Sequence, residues 1–396
     1  MHQNLFDAQQ TQLKFCESTP LREDASSPSS PRYLQALRLT CPLSALSLGN
    51  RQRTITQWVA EKDRNVTLFG YAEKDKVSRD IAMHGYWEME NMSVLLLLLE
   101  RARWQRREWR HPESPSRPPR RDELVMLDVG GNLGAYTLCL ATAGFRVLTF
   151  EAMRRNIQAI REGICRNSGL KERVILLEKG LAEKEESRPS SLSRTFDFLP
   201  VPTAQSSQPQ TCTLVVDKEN IGDGITRCQG QGVSLGSEEV REDAIQVTTL
   251  DRALYCPQSS RDAVPSFYTG RPAALKMDVE GFEMLVVQGG QGFLNTSDLA
   301  VVLHENGHMP FEKRKYLLEY FVDRGYVFLC PEEMYEWVDG RGGKRGRKRK
   351  VPKIEAFAEF DERIFDCWDI AWVKKEDVEV EAPRGGRGQR YWLLLD

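Results

Sequence analysis

Three short stretches of this chain carry the residue types and spacings that could do chemistry. The first is Leu127-Asp-Val-Gly-Gly-Asn-Leu-Gly134, an apolar run that closes on an acid and opens at once into a glycine-rich turn. A glycine at 130 allows a tight turn and a close approach of backbone to ligand, and one at 134 allows a helix to pack closely on a strand. The second is Glu151, which follows the apolar run Val147 to Phe150 and lies 23 residues beyond Asp128. A carboxylate there can accept both hydroxyls of a ribose, and the interval is close to the roughly 20 residues of related nucleotide sites. The third is Lys276-Met-Asp-Val-Glu280, whose three charged groups alternate along one face of an extended segment. Asp278 and Glu280 can take a proton or hold a divalent cation through oxygen. His304 and Glu305 close a further apolar run, and a histidine titrates near neutrality. Each group also has a plainer reading. Asp128 and Glu151 can be helix caps, Glu280 can serve the dipole of a following helix, and His304 can be a satisfied structural group.

Such groups need a scaffold that holds strand ends side by side. Val125 to Val129 reads as a strand, followed by a helix from about Ala135; Val147 to Phe150 is a second strand, with a helix over Ile157 to Asn167. Val174 to Leu177 is a third strand and Ala273 to Val279 a fourth, leading to a helix over Phe282 to Phe293. Then come a strand Ala300 to His304, a helix Phe311 to Arg324, and strands Val327 to Cys330 and Asp369 to Val373. Apolar strands alternating with helices imply an α/β fold, a mostly parallel sheet with helices on both faces. Ligands of such sheets bind beyond the carboxyl ends of the strands, where Asp128, Glu151, Asp278 and His304 all fall.

Composition narrows the function classes. Lys+Arg 55 against Asp+Glu 57 leaves a net charge of −2 over 396 residues, so no global field recruits nucleic acid or an anionic membrane. Hydrophobic residues at 40% exclude a wholly disordered chain. The longest apolar run, Val94 to Leu99, falls far short of the roughly 20 residues of a spanning helix, so no membrane span is expected. No basic start followed by an apolar stretch suggests a secretory signal. The nine cysteines are scattered singly, which argues against a disulfide framework or a zinc ribbon and for a reducing, cytoplasmic setting.

Residues 1–65, with the Ser/Pro run Ser26 to Arg32, read as a poorly ordered leader. Residues 66–122 read as a helical lead-in and linker: Asp80 to Glu90 leads into a buried helix from Ser93 to about Arg110. The eight arginines between Arg101 and Arg121, diluted by Glu108 and Glu113, suit a solvated face better than a nucleic-acid strip. The main domain is expected over 123–375 and a tail over 376–396. Residues 185–245, rich in Ser, Gln, Gly and Pro, are an insertion, part loop and part hairpin. The run 341–353 holds eight basic groups and no acid; it suits a solvated loop, a polyanion contact or, over 344–350, a nuclear signal.

A dinucleotide fingerprint needs glycines at positions one, three and six. Counted from Gly130 these are Gly130, Asn132 and Ala135, so a nicotinamide oxidoreductase ranks last. The loop instead resembles the first loop of class I S-adenosylmethionine methyltransferases. More narrowly, the chain resembles the FkbM-type methyltransferases over about residues 66–375. The ordered matches are LDVGGNLGAYTL from Leu127, FEAMRRNIQAI from Phe150, Gly180-Leu-Ala-Glu183, Thr249-Leu-Asp251, Leu275-Lys-Met-Asp-Val-Glu-Gly-Phe-Glu283, Val301-Val-Leu-His-Glu305 and Asp366-Cys-Trp-Asp-Ile370. Upstream, Ser78-Arg-Asp-Ile81 and Gly85-Tyr-Trp-Glu88 resemble the family's lead-in, and Asn220-Ile-Gly-Asp-Gly224 a family loop element. Ala152 stands where the family usually has proline, and Gly131 where alanine is frequent.

The resemblance implies a Rossmann-like class I sheet, mostly parallel with an antiparallel final strand, and S-adenosylmethionine as cofactor. It implies cofactor contacts at Asp128, Gly130, Gly131, Asn132, Gly134, Glu151, Ala152, Gly180 and Leu181. Asp128 would face the methionine end, directly or through water, and Gly180 and Leu181 the adenine. Catalytic candidates are Asp278, Glu280, His304 and Glu305, with a divalent metal an open question. Family analogy points to in-line transfer to a hydroxyl of a sugar, glycan or small molecule. The alternatives are a nucleic-acid or protein methyltransferase docking through 341–353, and a cofactor-binding scaffold without catalysis.

Overall fold

The computed structural model describes residues 2–18, 34–44, 62–183 (except 73, 111 and 113), 210–217, 220–228, 239–254, 270–331 (except 308), 353–356, 367–381 (except 378) and 390–394. The chain opens with α1 (His2–Ser18), β1 (Leu34–Cys41), β2 (Arg64–Tyr71), α2 (Lys76–His84) and α3 (Met89–Gln105). Strands and helices then alternate as β3 (Leu124–Val129), α4 (Ala135–Thr142), β4 (Arg146–Phe150), α5 (Arg154–Arg166) and β5 (Val174–Leu177). A second set of strands interrupts: β6 (Gly180–Leu181), β7 (Gln210–Asp217), β8 (Asn220–Cys228) and β9 (Glu239–Thr248). The alternation resumes with α6 (Leu250–Leu254), β10 (Arg271–Met277), α7 (Glu283–Gln288), α8 (Gln291–Thr296), β11 (Val301–Glu305), α9 (Phe311–Val322) and β12 (Tyr326–Leu329). The described chain ends with β13 (Lys353–Ala356), β14 (Asp369–Lys374), β15 (Glu379–Glu381) and β16 (Arg390–Leu394).

Seven strands form the central sheet in the order β12-β14-β11-β10-β3-β4-β5. The neighbours from β11 to β5 are parallel, whereas β14 runs antiparallel to both β11 and β12. Every residue of β3 is buried, as a strand covered on both faces requires. Successive residues serve opposite layers: Met126 and Val147 pack with α3, α4 and α5, while Leu127 and Leu148 pack with α7 and α9. β1 and β2 form a hairpin, β6 to β9 a four-stranded sheet, and β13, β15 and β16 a three-stranded one.

The structure corrects several expectations. The stretch read as a leader contains α1 and β1, and Leu37, Leu39 and Cys41 of β1 are core residues; its alternation was too short to stand out without its distant partner β2. The Ser/Pro run lies outside the described residues. The helix read from Ser93 to about Arg110 is α3, which starts at Met89 and ends at Gln105, and the lead-in carries a separate helix, α2, that stops at Gly85 in the left-handed region at φ 79°. The arginines between Arg101 and Arg121 are only in part a solvated face: Arg107, Arg117 and Arg120 are exposed, but others are engaged. Arg103 and Arg121 pair with the buried Glu100, and Arg106 pairs with Asp377 at 2.7 Å and Asp298 at 2.8 Å. The helix over Phe282 to Phe293 divides into α7 and α8 at Gly289, where a Cβ would lie 2.3 Å from the Ala182 carbonyl oxygen. The tail read over 376–396 carries β15 and β16.

Among the described residues, three disulfides form, Cys16–Cys165, Cys41–Cys139 and Cys330–Cys367. Their separations of 149, 98 and 37 residues leave no mark in local spacing. The expectation of no disulfide framework is therefore wrong, and the reducing setting inferred from it loses its premise. No helix among the described residues is long and apolar enough to cross a membrane. The basic run 344–350 lies outside the described residues.

Candidate active site

The turn after β3 is built by backbone. Gly130 N and Gly131 N both donate to Phe150 O at 3.0 Å, which ties the tips of β3 and β4 together. Gly130 has φ 78°, and a Cβ there would sit 1.8 Å from the Asp278 carbonyl oxygen, so only glycine fits. Asn132, at φ 48°, aims its N–H at Glu151 Oε2, 2.7 Å away. Glu151 Oε1 accepts from the N–H groups of Ala152 at 2.9 Å and Met153 at 2.8 Å. Burial nevertheless pushes this carboxyl up to about 7, because three N–H bonds replace only part of its lost hydration. Gly130, Asn132, Glu151, Ala152, Gly180 and Leu181 line a cleft beyond the ends of β3 and β4. Gly222, Asp223 and Gly224 of β8 close it from the other side, together with Asp278, Val279 and Glu280.

Asp128 is not on that wall. It has no exposed surface, its Oδ2 accepts from Thr137 Oγ1, and it forms no part of the cleft lining. Its partner across the sheet is Lys276, 3.7 Å away. Lys276 donates to Gly130 O at 2.8 Å, pairs with Asp278 at 3.3 Å and lies over the Tyr136 ring. Burial opposes its charge, but Asp278, Asp128 and Glu88 outweigh burial and hold it protonated. Asp128 thus acts behind the surface, anchoring the lysine that holds the glycine turn.

A second cavity adjoins the first and shares Asn132, Asp223, Asp278 and Glu280 with it. Its other walls bring Asp80, Glu88, Glu305 and Asp369 from four separate places in the chain, with Trp87, Tyr136 and Trp368. Tyr136 donates its hydroxyl to Glu88 Oε2 at 2.8 Å, and Asn91 donates to Asp369 Oδ2 at 2.7 Å. Burial, then the hydrogen bond and charge of Asp223, push Glu280 up to about 10. Burial, then the charge of Asp278, push Glu305 up to about 9. Asp278, Glu280 and Glu305 can each offer an oxygen within 4.8 Å of the others, a spacing a divalent cation could use.

Of the catalytic candidates, the structure brings together Asp278, Glu280 and Glu305 and leaves out His304. That ring is 1% exposed, lies against Phe321 and Trp372, and bonds through Nδ1 to the Glu305 carbonyl oxygen. Burial pushes it down to about 4, so it is a neutral core residue. Gly131 borders the second cavity, and Gly134 packs on Ile160 behind the turn. Glu88, Tyr136, Trp368, Asp369 and Asp223 all lie in segments that match the family, but the sequence singles out none of them as a site residue.

Residues 128–328 match the model of the Methyltransferase FkbM domain, half of the chain. No curated protein matches the sequence. Among solved structures, a protein from Pyrococcus horikoshii described as a candidate RNA methyltransferase matches with a TM-score of 0.24 and 10% identity. The match covers 63% of this chain and 74% of that one, and at that score it says nothing about the acceptor.

Proposed function

The chain belongs to the FkbM methyltransferase family, and from that premise we propose that it transfers the methyl group of S-adenosylmethionine to a hydroxyl of a sugar or small molecule. One observation carries the proposal: the two cavities meet along Asn132, Asp223, Asp278 and Glu280, so a group held in one can reach a group held in the other. The strand order β5-β4-β3-β10-β11 followed by β14 and β12 accords with the class I sheet, whose reversed strand is β14.

The first cleft fits the cofactor. Glu151 Oε2 keeps acceptor capacity beyond its single backbone bond, which suits a ribose hydroxyl, while Oε1 is taken up by the N–H groups of Ala152 and Met153. Asn132 Oδ1 is buried with no hydrogen-bond partner among the described residues, and the cradle at Gly130 admits no side chain. Gly180, Leu181 and Val247 supply an apolar flank for a base. When bound, S-adenosylmethionine supplies an electrophilic methyl on a sulfonium. The protein's part is to orient the acceptor oxygen and receive its proton. Asp278, ion-paired to Lys276 at 3.3 Å on the shared wall, is the carboxylate best placed to take it. Glu280 and Glu305, raised to about 10 and about 9, hold their protons at neutral pH and can donate hydrogen bonds to neighbouring acceptor oxygens.

The second cavity opposes a polyanion. Seven acidic side chains face two lysines there, and even with Glu280 and Glu305 protonated the acids outnumber the lysines. That excess would repel phosphates at the point of transfer, which disfavours a nucleic-acid acceptor. The test is calorimetric titration with S-adenosylhomocysteine, with NAD as control. We expect micromolar binding, roughly −8 kcal/mol, and no NAD response. Silence toward S-adenosylhomocysteine from folded protein would overturn the cofactor reading.

A further inference from the structure

The cofactor carries an α-ammonium at its methionine end, and that charge needs an anionic partner. Asp128, the sequence candidate for that end, is sealed behind Lys276 and Thr137. The carboxylates that do line the cleft are Glu151, Asp223, Asp278 and Glu280. Glu151 stands beside Ala152 and Gly180 with its oxygens already directed by three N–H groups. Asp278 is engaged by Lys276. Glu280 shares a hydrogen bond with Asp223.

Asp223 is held there by construction. β7 and β8 are in register at Val216 opposite Gly224 and again at Asp217 opposite Asn220, so residues 221–223 are extra and bulge out of the ladder. Bulges of this kind redirect side chains beside active sites. The bulge is tied to the main domain from two directions. Ile221 N donates to Lys74 O at 2.9 Å and Lys76 N donates to Asn220 Oδ1 at 3.0 Å, at the start of α2. Asn156 Nδ2 of α5 donates to Gly222 O at 3.0 Å. Gly222 itself is wedged so tightly that a Cβ would lie 2.1 Å from Asp75 Oδ1. Asn220 Nδ2 then donates to Asp223 Oδ2 at 3.2 Å, fixing the carboxylate within its own bulge.

We propose that Asp223, carried into the cleft by this bulge of the insertion, receives the α-ammonium of the cofactor in place of Asp128. The insertion is then part of the cofactor site as well as a wall of the acceptor cavity. The assignment rests on the cofactor reading above, and the test separates the two. Wild type and Asp223→Asn are titrated by calorimetry with S-adenosylhomocysteine and with its deaminated analogue, which lacks only the ammonium. Asp223→Asn should weaken S-adenosylhomocysteine roughly tenfold or more, the worth of a hydrogen bond to a charged group, and leave the analogue within about twofold. Retained affinity for the analogue also shows that the variant is folded. Equal losses for both ligands, or no loss for either, would overturn the assignment and spare the cofactor reading. Wild type that binds neither ligand would overturn both.

Discussion

The two cavities of the site are built on opposite plans. The cleft proposed for the cofactor rests on backbone at its base: the turn from Gly130 to Asn132 and the N–H groups of Ala152 and Met153, all within the run from β3 to the start of α5. The cavity proposed for the acceptor is largely side chain, assembled from α2, the segment before α3, α4, β8, β10, β11 and β14. Backbone geometry sets tight steric limits, and among the described residues Glu151 is the one carboxylate of the first cleft that the second does not share. Side chains drawn from distant elements do the reverse: they crowd carboxylates whose burial and mutual repulsion raise one another's proton affinity. Lys276 joins the two, touching the glycine turn with one hydrogen bond and the acidic wall with its charge.

Variants can break this contrast, and the largest effect belongs to the backbone-built cleft. Gly130→Ala must push a methyl group into the Asp278 carbonyl at a positive φ. We expect a loss of roughly 3 kcal/mol or more in urea unfolding and no measurable S-adenosylhomocysteine binding. Next comes the residue that joins the cavities. Lys276→Met leaves Asp128 and Asp278 without their cation, which should cost about 3 kcal/mol of stability. Its loss should also weaken S-adenosylhomocysteine binding and acceptor turnover together, and an effect on only one would break the link.

Glu151 gives a smaller and pH-dependent effect. Ribose hydroxyls need the carboxylate, so wild-type affinity for S-adenosylhomocysteine should rise between pH 6 and 8, as a group held at about 7 loses its proton. Glu151→Gln should flatten that rise and lower affinity roughly tenfold at the alkaline end. Stability runs the other way. A carboxyl raised in the folded state stabilises the fold below its ordinary range, and that gain fades as pH climbs through about 7. The smallest effect sharpens the contrast: Glu305 borders the acceptor cavity alone. Glu305→Gln should therefore leave S-adenosylhomocysteine affinity within about twofold while lowering methyl transfer.

How much was legible follows the same division. The glycine loop, Glu151 and the charged alternation from Lys276 to Glu280 were readable because each lies in a few consecutive residues whose spacing reflects one local geometry. The strands of the central sheet were readable for the same reason, since apolar runs of four to six residues mark buried strands. Asp128 was identified as important for the wrong surface: periodicity put it at a strand end, but only packing showed Lys276 and Thr137 closing over it. His304 failed similarly, because its position resembles that of Glu305 until Phe321 and Trp372 are seen around it.

By itself, the order of residues determined the α/β alternation, the turn that only glycine can make, and the acid beyond β4. Local sterics and hydrophobic period act over a few residues and are written in the chain. Tertiary structure alone decided which carboxylates share a cavity, which cysteines pair, and that a bulge in the insertion reaches the cleft. Those outcomes depend on contacts between residues tens to more than a hundred positions apart. There, burial and Coulomb interaction depend on distance in space, which spacing along the chain does not encode.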